Sequence, residues 1–243
     1  MRVEALAIAL RPRPMSEAAD LGQRLVQMHA RSVWRCHAPL VAAVLLLALS
    51  TVEIAGWLPG VIVFWLKPWL DRSLLFVLSR AVFGESTRWS DLWAARRDVF
   101  GGRWFATMTL ARLSPWRSYT QPIGQLEGLR GSAWRKRRAV LLSGQRGAAG
   151  GLQFVYANLE MIALVAALSI IAWFLPDTLK TQAWAAWQAG ESAAINAGVA
   201  ALYGLVVLAL EPFFIAAGFA MYLNRRVELE AWDIEQEFRH AFA

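Results

Sequence analysis

Among the charged residues inside or against the long apolar runs of this 243-residue chain, five stand out: Lys67, Asp71, Arg72, Glu160 and Glu211. A charge in a bilayer core is costly, so such residues pair with one another or mark a path for an ion or a proton. Counted from the ends of the apolar runs, Arg72, Glu160 and Glu211 fall at overlapping depths. Opposite charges there relieve each other's desolvation. One set of residues therefore has two readings: ion pairs that fix helix register, or groups that conduct. Glu211 is the most informative of them because Pro212 follows it directly. Proline has no N–H, so one carbonyl of the preceding turn loses its helical partner and a neighbouring group must satisfy it. Glu211 is expected to face the bundle interior, with Lys67, Arg72 or a freed backbone group as partner. Lys67-Pro68 repeats the arrangement in an earlier run. Helix breaks are expected at Pro68 and Pro212, and discontinuous helices in corresponding halves can mark a transporter site.

Other chemistry finds little support. Glu160 and Glu211 could bind a cation, but nothing in their spacing demands it. His29, His37 and His240 have no helix-spaced His or Glu partner of the kind that zinc needs. Cys36 is the single cysteine, which excludes a disulfide framework and a Cys-based zinc site within one chain. No Gly-x-Ser-x-Gly is present, and Cys36 beside His37 is a sequence neighbour rather than a catalytic geometry. Gly144 to Gly151 lacks the Gly-Lys-Ser/Thr ending of a phosphate loop and reads as a flexible hinge. No enzymatic activity, metal or cofactor is expected.

The elements that carry these residues are membrane helices. The chain is 57% hydrophobic with 13 Trp, more apolar surface than a soluble domain of this length needs. Its basic residues crowd into the N-terminal tail, the central region and the start of the C-terminal tail, with Lys180 alone in the other long connection. That asymmetry follows the positive-inside rule and puts the basic segments and both termini in the cytoplasm. It also accounts for the net charge of +7 without nucleic acid as a partner. No cleavable signal peptide is evident, and Pro39 to Leu58 is expected to act as an uncleaved anchor. The fold class is an all-α integral membrane bundle of about four transmembrane helices, some broken, with cytoplasmic amphipathic helices.

The organisation follows. Residues 1–38 are a cytoplasmic segment in which Ser16 caps an amphipathic helix bearing Leu21, Leu25 and Met28, laid on the membrane or on the protein's own loop. Residues 39–83 hold the first pair of spans, the second of them interrupted or re-entrant. Residues 84–151 are a basic cytoplasmic or interfacial region. Within it, 89–100 reads as one charged helix, 104–113 as an interfacial segment, and Pro122 with Gly124 as a loop. Leu129 to Leu142 carries Arg130, Trp134, Arg135, Lys136, Arg137 and Arg138. These residues read either as a plain topology signal or as a contact for anionic lipid headgroups, worth about 1 kcal/mol per basic residue. Residues 152–223 hold the second pair of spans, joined by a connection in which Trp184 and Trp187 suggest a short interfacial helix. Asn224-Arg225-Arg226 is expected to end the last span. The acidic amphipathic tail, 224–243, would dock on the basic region or on a partner protein.

Two stretches carry a family resemblance: 65–85, which reads WLKPWLDRSLLFVLSRAVFGE, and 211–235, which reads EPFFIAAGFAMYLNRRVELEAWDIE. They resemble uncharacterised bacterial multi-pass inner-membrane proteins. Those are distantly similar to the membrane domain fused to some glycerophosphodiester phosphodiesterases. The resemblance implies a bacterial cytoplasmic membrane and a non-catalytic helical domain. It transfers no phosphodiesterase activity, because the acidic and histidine ligands of that chemistry are missing here. It adds weight to Glu211, Pro212, Asn224 and Arg225. The expected function is a non-enzymatic accessory or assembly subunit, with a protein partner or a second copy of itself. The alternative is a transporter or permease-like subunit for an ion, small molecule or lipid, using the helices around Glu211.

Overall fold

The computed structural model describes residues 12–101, 113–189 and 192–230. Among them are ten helices and no strand, so the chain is an all-α bundle. Helix α1 is Met15–Met28, α2 Ala30–Leu49, α3 Leu58–Ala81, α4 Trp89–Ala94 and α5 Arg96–Phe100. Then follow α6 Arg117–Gln125, α7 Gly131–Leu142, α8 Arg146–Trp173, α9 Asp177–Ala189 and α10 Ala193–Glu230. Three of these, α2, α8 and α10, are long and apolar enough to cross a membrane, which makes this a membrane protein. Helix α3 has 24 residues, about 36 Å at about 1.5 Å per residue. Lys67, Asp71, Arg72 and Arg80 make it the more polar partner.

Helix α10 is the axis of the bundle. It packs against α1, α2, α3, α6 and α8. Close packing is possible because Ala216, Ala217, Gly218 and Ala220 present small side chains, all of them buried. At Gly22 of α1 an added Cβ would collide with the backbone of Ala216 and Ala217. At Gly218 it would collide with Ser118 of α6. Such stripes of small residues let helix backbones approach within a membrane, where dispersion rather than water exclusion drives association. Helix α8 is the opposite case. Ala149 is its one buried residue. Phe154, Ile162, Val165 and Ile170 are exposed, as suits a helix facing lipid chains.

Several expectations are corrected. Pro68 and Pro212 end nothing: α3 and α10 run through both. Each proline removes one N–H, and the helix on both sides is held by burial of Lys67, Leu70 and Asp71 in α3 and of Glu211, Phe214 and Ile215 in α10. Pro39 likewise lies inside α2, which starts at Ala30 rather than at the proline. Pro122 lies inside α6, where a loop was expected. The hinge at Gly144 to Gly151 reduces to Gly144, whose φ of 74° places it in the left-handed region that glycine tolerates. From Arg146 the glycines are helical. The last helix passes Asn224-Arg225-Arg226 and continues to Glu230. Its two arginines pair forward with Glu228 and Glu230 at helical spacing.

The N-terminal and central regions also differ from the reading. Helix α1 starts at Met15 with Pro14 before it, so Ser16 is not its cap. It rests on α10 rather than on lipid or a loop: Met15, Ala18, Gly22, Leu25 and Val26 are buried, while Met28 points outward. Residues 89–100 form α4 and α5, separated at Ala95. Helix α9 bears Trp184 and Trp187 as expected, their rings 5.1 Å apart. Most of the apolar stretch 104–113, and the acidic tail from 231 onward, lie outside the described residues.

Candidate functional site

Lys67 and Asp71 are four residues apart on α3 and therefore share one face. Glu211 of α10, Glu160 of α8 and Arg117 at the start of α6 converge on that face. Lys67 Nζ lies 2.7 Å from Glu211 Oε2 and also pairs with Glu160. Arg117 Nη2 donates to Glu211 Oε1 at 2.6 Å. Arg117 Nε lies 3.1 Å from Asp71 Oδ2, although the N–H is not aimed at that oxygen and makes no hydrogen bond. The guanidinium also sits over the Phe214 ring, 5.1 Å from its centre. Glu211 is thus clamped between two cations, and one network ties four helices together.

The network is buried. Glu211 is 2% exposed, Asp71 0%, Lys67 3% and Arg117 4%. Burial alone would favour the neutral form of the guanidinium, but Asp71 and Glu211 reverse that and hold Arg117 above its ordinary pKa. Three carboxylates face two cations, so the arrangement carries one excess negative charge when all five are ionised. His37 of α2 is also fully buried, and neither of its ring nitrogens has a hydrogen-bond partner among the described residues.

A cavity of about 780 Å³ approaches the network from one side. Its walls are mostly apolar, with Trp57, Phe64, Met161 and Tyr203 among them, and Lys67 and Glu160 also line it. A separate space of about 10 Å³ is lined by Lys67 and Glu160 together with Glu211 and Arg117, about the volume that one water's centre explores. The cavity therefore reaches the outer ion pair, and the Glu211 clamp is nearly closed. Among the described residues no group of His, Cys, Asp or Glu is arranged to hold a metal.

Of the five residues singled out from sequence, four meet here and Arg72 does not supply the expected pairing. The guanidinium beside Glu211 is that of Arg117. Arg72 lies one residue round the helix from Asp71, about 100° away, and its Nε donates to the Val99 carbonyl. Its own carbonyl accepts from Gln125 Nε2 at 2.7 Å. Arg72 thus ties α3 to α5 and α6. Arg117 was missed because it lies in a segment too short and too polar to be read as part of the bundle. Charge count held the signal: three carboxylates at membrane depth need more cation than Lys67 supplies.

The basic helix α7 divides. Arg130, Arg135 and Lys136 are exposed. Arg137 instead pairs with Glu127 at 2.9 Å and with Glu230. Arg138 lies over the rings of Trp116 and Trp134, 5.1 and 5.4 Å from their centres. Burial and the nearby Arg146 hold its pKa below the usual guanidinium value. Arg137, Arg138 and the half-buried Trp134 thus make contacts within the fold as well as standing in the basic segment. Glu127 also accepts from the Tyr222 hydroxyl at 2.6 Å, and Arg226 pairs with Glu230 at 2.7 Å. This second network joins α7, the turn before it and the end of α10. Its Glu230 lies in the acidic tail, so at this residue the tail meets the protein's own basic region. Asn224 bridges the backbone of Arg13, with its side chain accepting from the N–H at 2.9 Å and donating to the carbonyl at 2.8 Å. Arg225 donates to the Ser143 carbonyl at 3.1 Å.

Comparison with family models, curated proteins and solved structures finds no match to this chain.

Proposed function

We propose that this chain is a non-enzymatic multi-pass protein of the bacterial cytoplasmic membrane, acting as an accessory or assembly subunit with both termini in the cytoplasm. In this reading α3 is the fourth crossing, and its charges are neutralised by its neighbours rather than by water. The observation that supports it best is the closed clamp on Glu211, in which Lys67 and Arg117 occupy the carboxylate from two sides. A carboxylate so held fixes helices in register and leaves little room for a passing ion. Arg130, Arg135 and Lys136 then offer a face to anionic headgroups, with the acidic tail as the contact for a protein partner or a second copy. The test is to tag the full chain, extract it from its own membranes in a mild detergent and size it by light scattering. The reading expects a stoichiometric assembly larger than one chain. A chain that elutes alone in every mild detergent contradicts it.

The cavity lined by Lys67 and Glu160 favours a second reading, a permease-like subunit for an amphiphile. Gly60 lines the cavity, and an added Cβ there meets nothing within 4 Å. In a Cys36→Ala background, Gly60→Cys is expected to react with a membrane-impermeant thiol reagent if the cavity is wet. Protection by an amphiphile that also crosses proteoliposomes would support permeation. An unreactive Cys would remove that reading.

A further inference from the structure

Away from the ion network, α2 and the segment leading into α4 enclose a cleft of about 850 Å³. Arg31 and Arg35, one helical turn apart on α2, line one side, and Arg88 lines the other. All three are exposed. None has a carboxylate partner among the described residues, as is also true of several exposed arginines elsewhere; what sets these three apart is that they line one cleft. The acids nearest in sequence form no ion pair with the three. Glu85 pairs with Arg80 at 3.0 Å, and Asp91 accepts the Arg88 backbone N–H at 2.9 Å. Ser86 and Ser90 add hydroxyls to the wall. Thr87 lines it too, nearly buried and with its hydroxyl unpartnered among the described residues. Three guanidinium groups around one cleft repel one another unless an anion sits between them.

The depth of the cleft narrows the class of anion. Pro39 forms part of the wall, and the uninterrupted apolar run of α2 extends from it to Leu49. Trp89 and Trp93 stand beside it as an exposed stacked pair, ring centres 6.2 Å apart. Paired aromatics at the start of an apolar run mark the headgroup level of a bilayer. Guanidinium forks bind phosphate oxygens in pairs. A phosphomonoester carries about −1.5 to −2 charges at neutral pH and three acceptor oxygens, which suits three arginines. A phosphodiester headgroup offers one charge and two free oxygens.

We propose that Arg31, Arg35 and Arg88 form a site for the terminal phosphate of a phosphomonoester lipid at the membrane interface. The site is separate from the exposed face of α7 and does not depend on the accessory reading.

The test is native mass spectrometry of the full chain in detergent, titrated with phosphatidic acid, phosphatidylglycerol or phosphatidylcholine, with inorganic phosphate as competitor. Phosphatidic acid is expected to bind at least about tenfold more tightly than phosphatidylglycerol. Each of Arg31→Gln, Arg35→Gln and Arg88→Gln is expected to weaken it about tenfold, the usual scale for one charged hydrogen-bond partner. Arg88→Lys keeps the charge and removes the fork. It is expected to lose the preference for phosphatidic acid while retaining weak binding of both anionic lipids. The combined change Arg130→Gln, Arg135→Gln and Lys136→Gln removes as much charge from α7 and is expected to leave the preference intact. Equal binding of the two anionic lipids overturns the proposal, as does loss of the preference only in the α7 variant. Inorganic phosphate binding as tightly as phosphatidic acid would overturn the lipid as the source.

Discussion

Two ion networks in this molecule use the same side-chain types in opposite surroundings. The Lys67, Arg117, Asp71, Glu160 and Glu211 network lies among α3, α6, α8 and α10, and the side chains of Lys67, Arg117, Asp71 and Glu211 are at most 4% exposed. The Glu127, Arg137, Arg226 and Glu230 network lies at the end of α10, and its side chains are 14 to 25% exposed. Burial decides what each pair is worth. In the first, desolvation is large, so each charge is tolerated only while its partner is in place. In the second, water shares the charge and the pairs contribute little individually. Both networks join distant parts of the chain, but only the buried one can make the bundle depend on a single residue.

The largest contrast is expected between Arg117→Leu and Arg137→Leu. Loss of Arg117 leaves Asp71, Glu160 and Glu211 facing Lys67 alone, at a cost of about 3–5 kcal/mol. Loss of Arg137 is expected to cost about 1 kcal/mol or less. Thermal unfolding of both variants in one detergent measures the difference, and equal costs would mean that burial does not distinguish the networks. A smaller effect is expected at Glu211 itself. Glu211→Gln leaves Lys67 with Glu160 and Arg117 with Asp71, so each cation keeps a carboxyl partner. It is expected to cost less than Glu211→Leu, which also removes the acceptor; the neutral hydrogen bonds that Gln can keep are worth about 1 kcal/mol each. A Gln variant less stable than the Leu variant would contradict this balance. The smallest effect concerns salt. The deficit of Arg137→Leu is expected to shrink between low and high ionic strength, because its pairs are reached by counter-ions. The deficit of Arg117→Leu is expected to persist.

The helical bundle was legible from sequence because length, apolar runs and the placement of basic residues all act locally. Helix α3 falls close to its expected range for that reason, whereas α8 starts and α10 ends several residues beyond theirs. The prolines misled because a local rule met a tertiary one. Pro68 and Pro212 lower helix propensity, but packing on both sides keeps α3 and α10 continuous. Glu160 and Glu211 were legible at one depth, but the same count placed Arg72 with them; Lys67 and Asp71 stood out only as charges in an apolar run. Arg117 was not legible, because α6 has no apolar run to reveal that it enters the bundle. The same blindness grouped Arg137 and Arg138 with their exposed neighbours. Sequence gives their charge, whereas only the fold brings Glu127, Glu230, Trp116 and Trp134 beside them.

The central claim is that Glu211 and Arg117 form one energetic unit at the heart of the bundle. A double-mutant cycle measures it directly, using Glu211→Gln, Arg117→Gln and the combined variant, with unfolding followed in a single detergent. The account predicts that the combined variant is more stable than the sum of the single changes implies, by at least about 1 kcal/mol, within the range found for contacting residues in one ion network. Additivity within about 0.5 kcal/mol, the behaviour of independent sites, would contradict it.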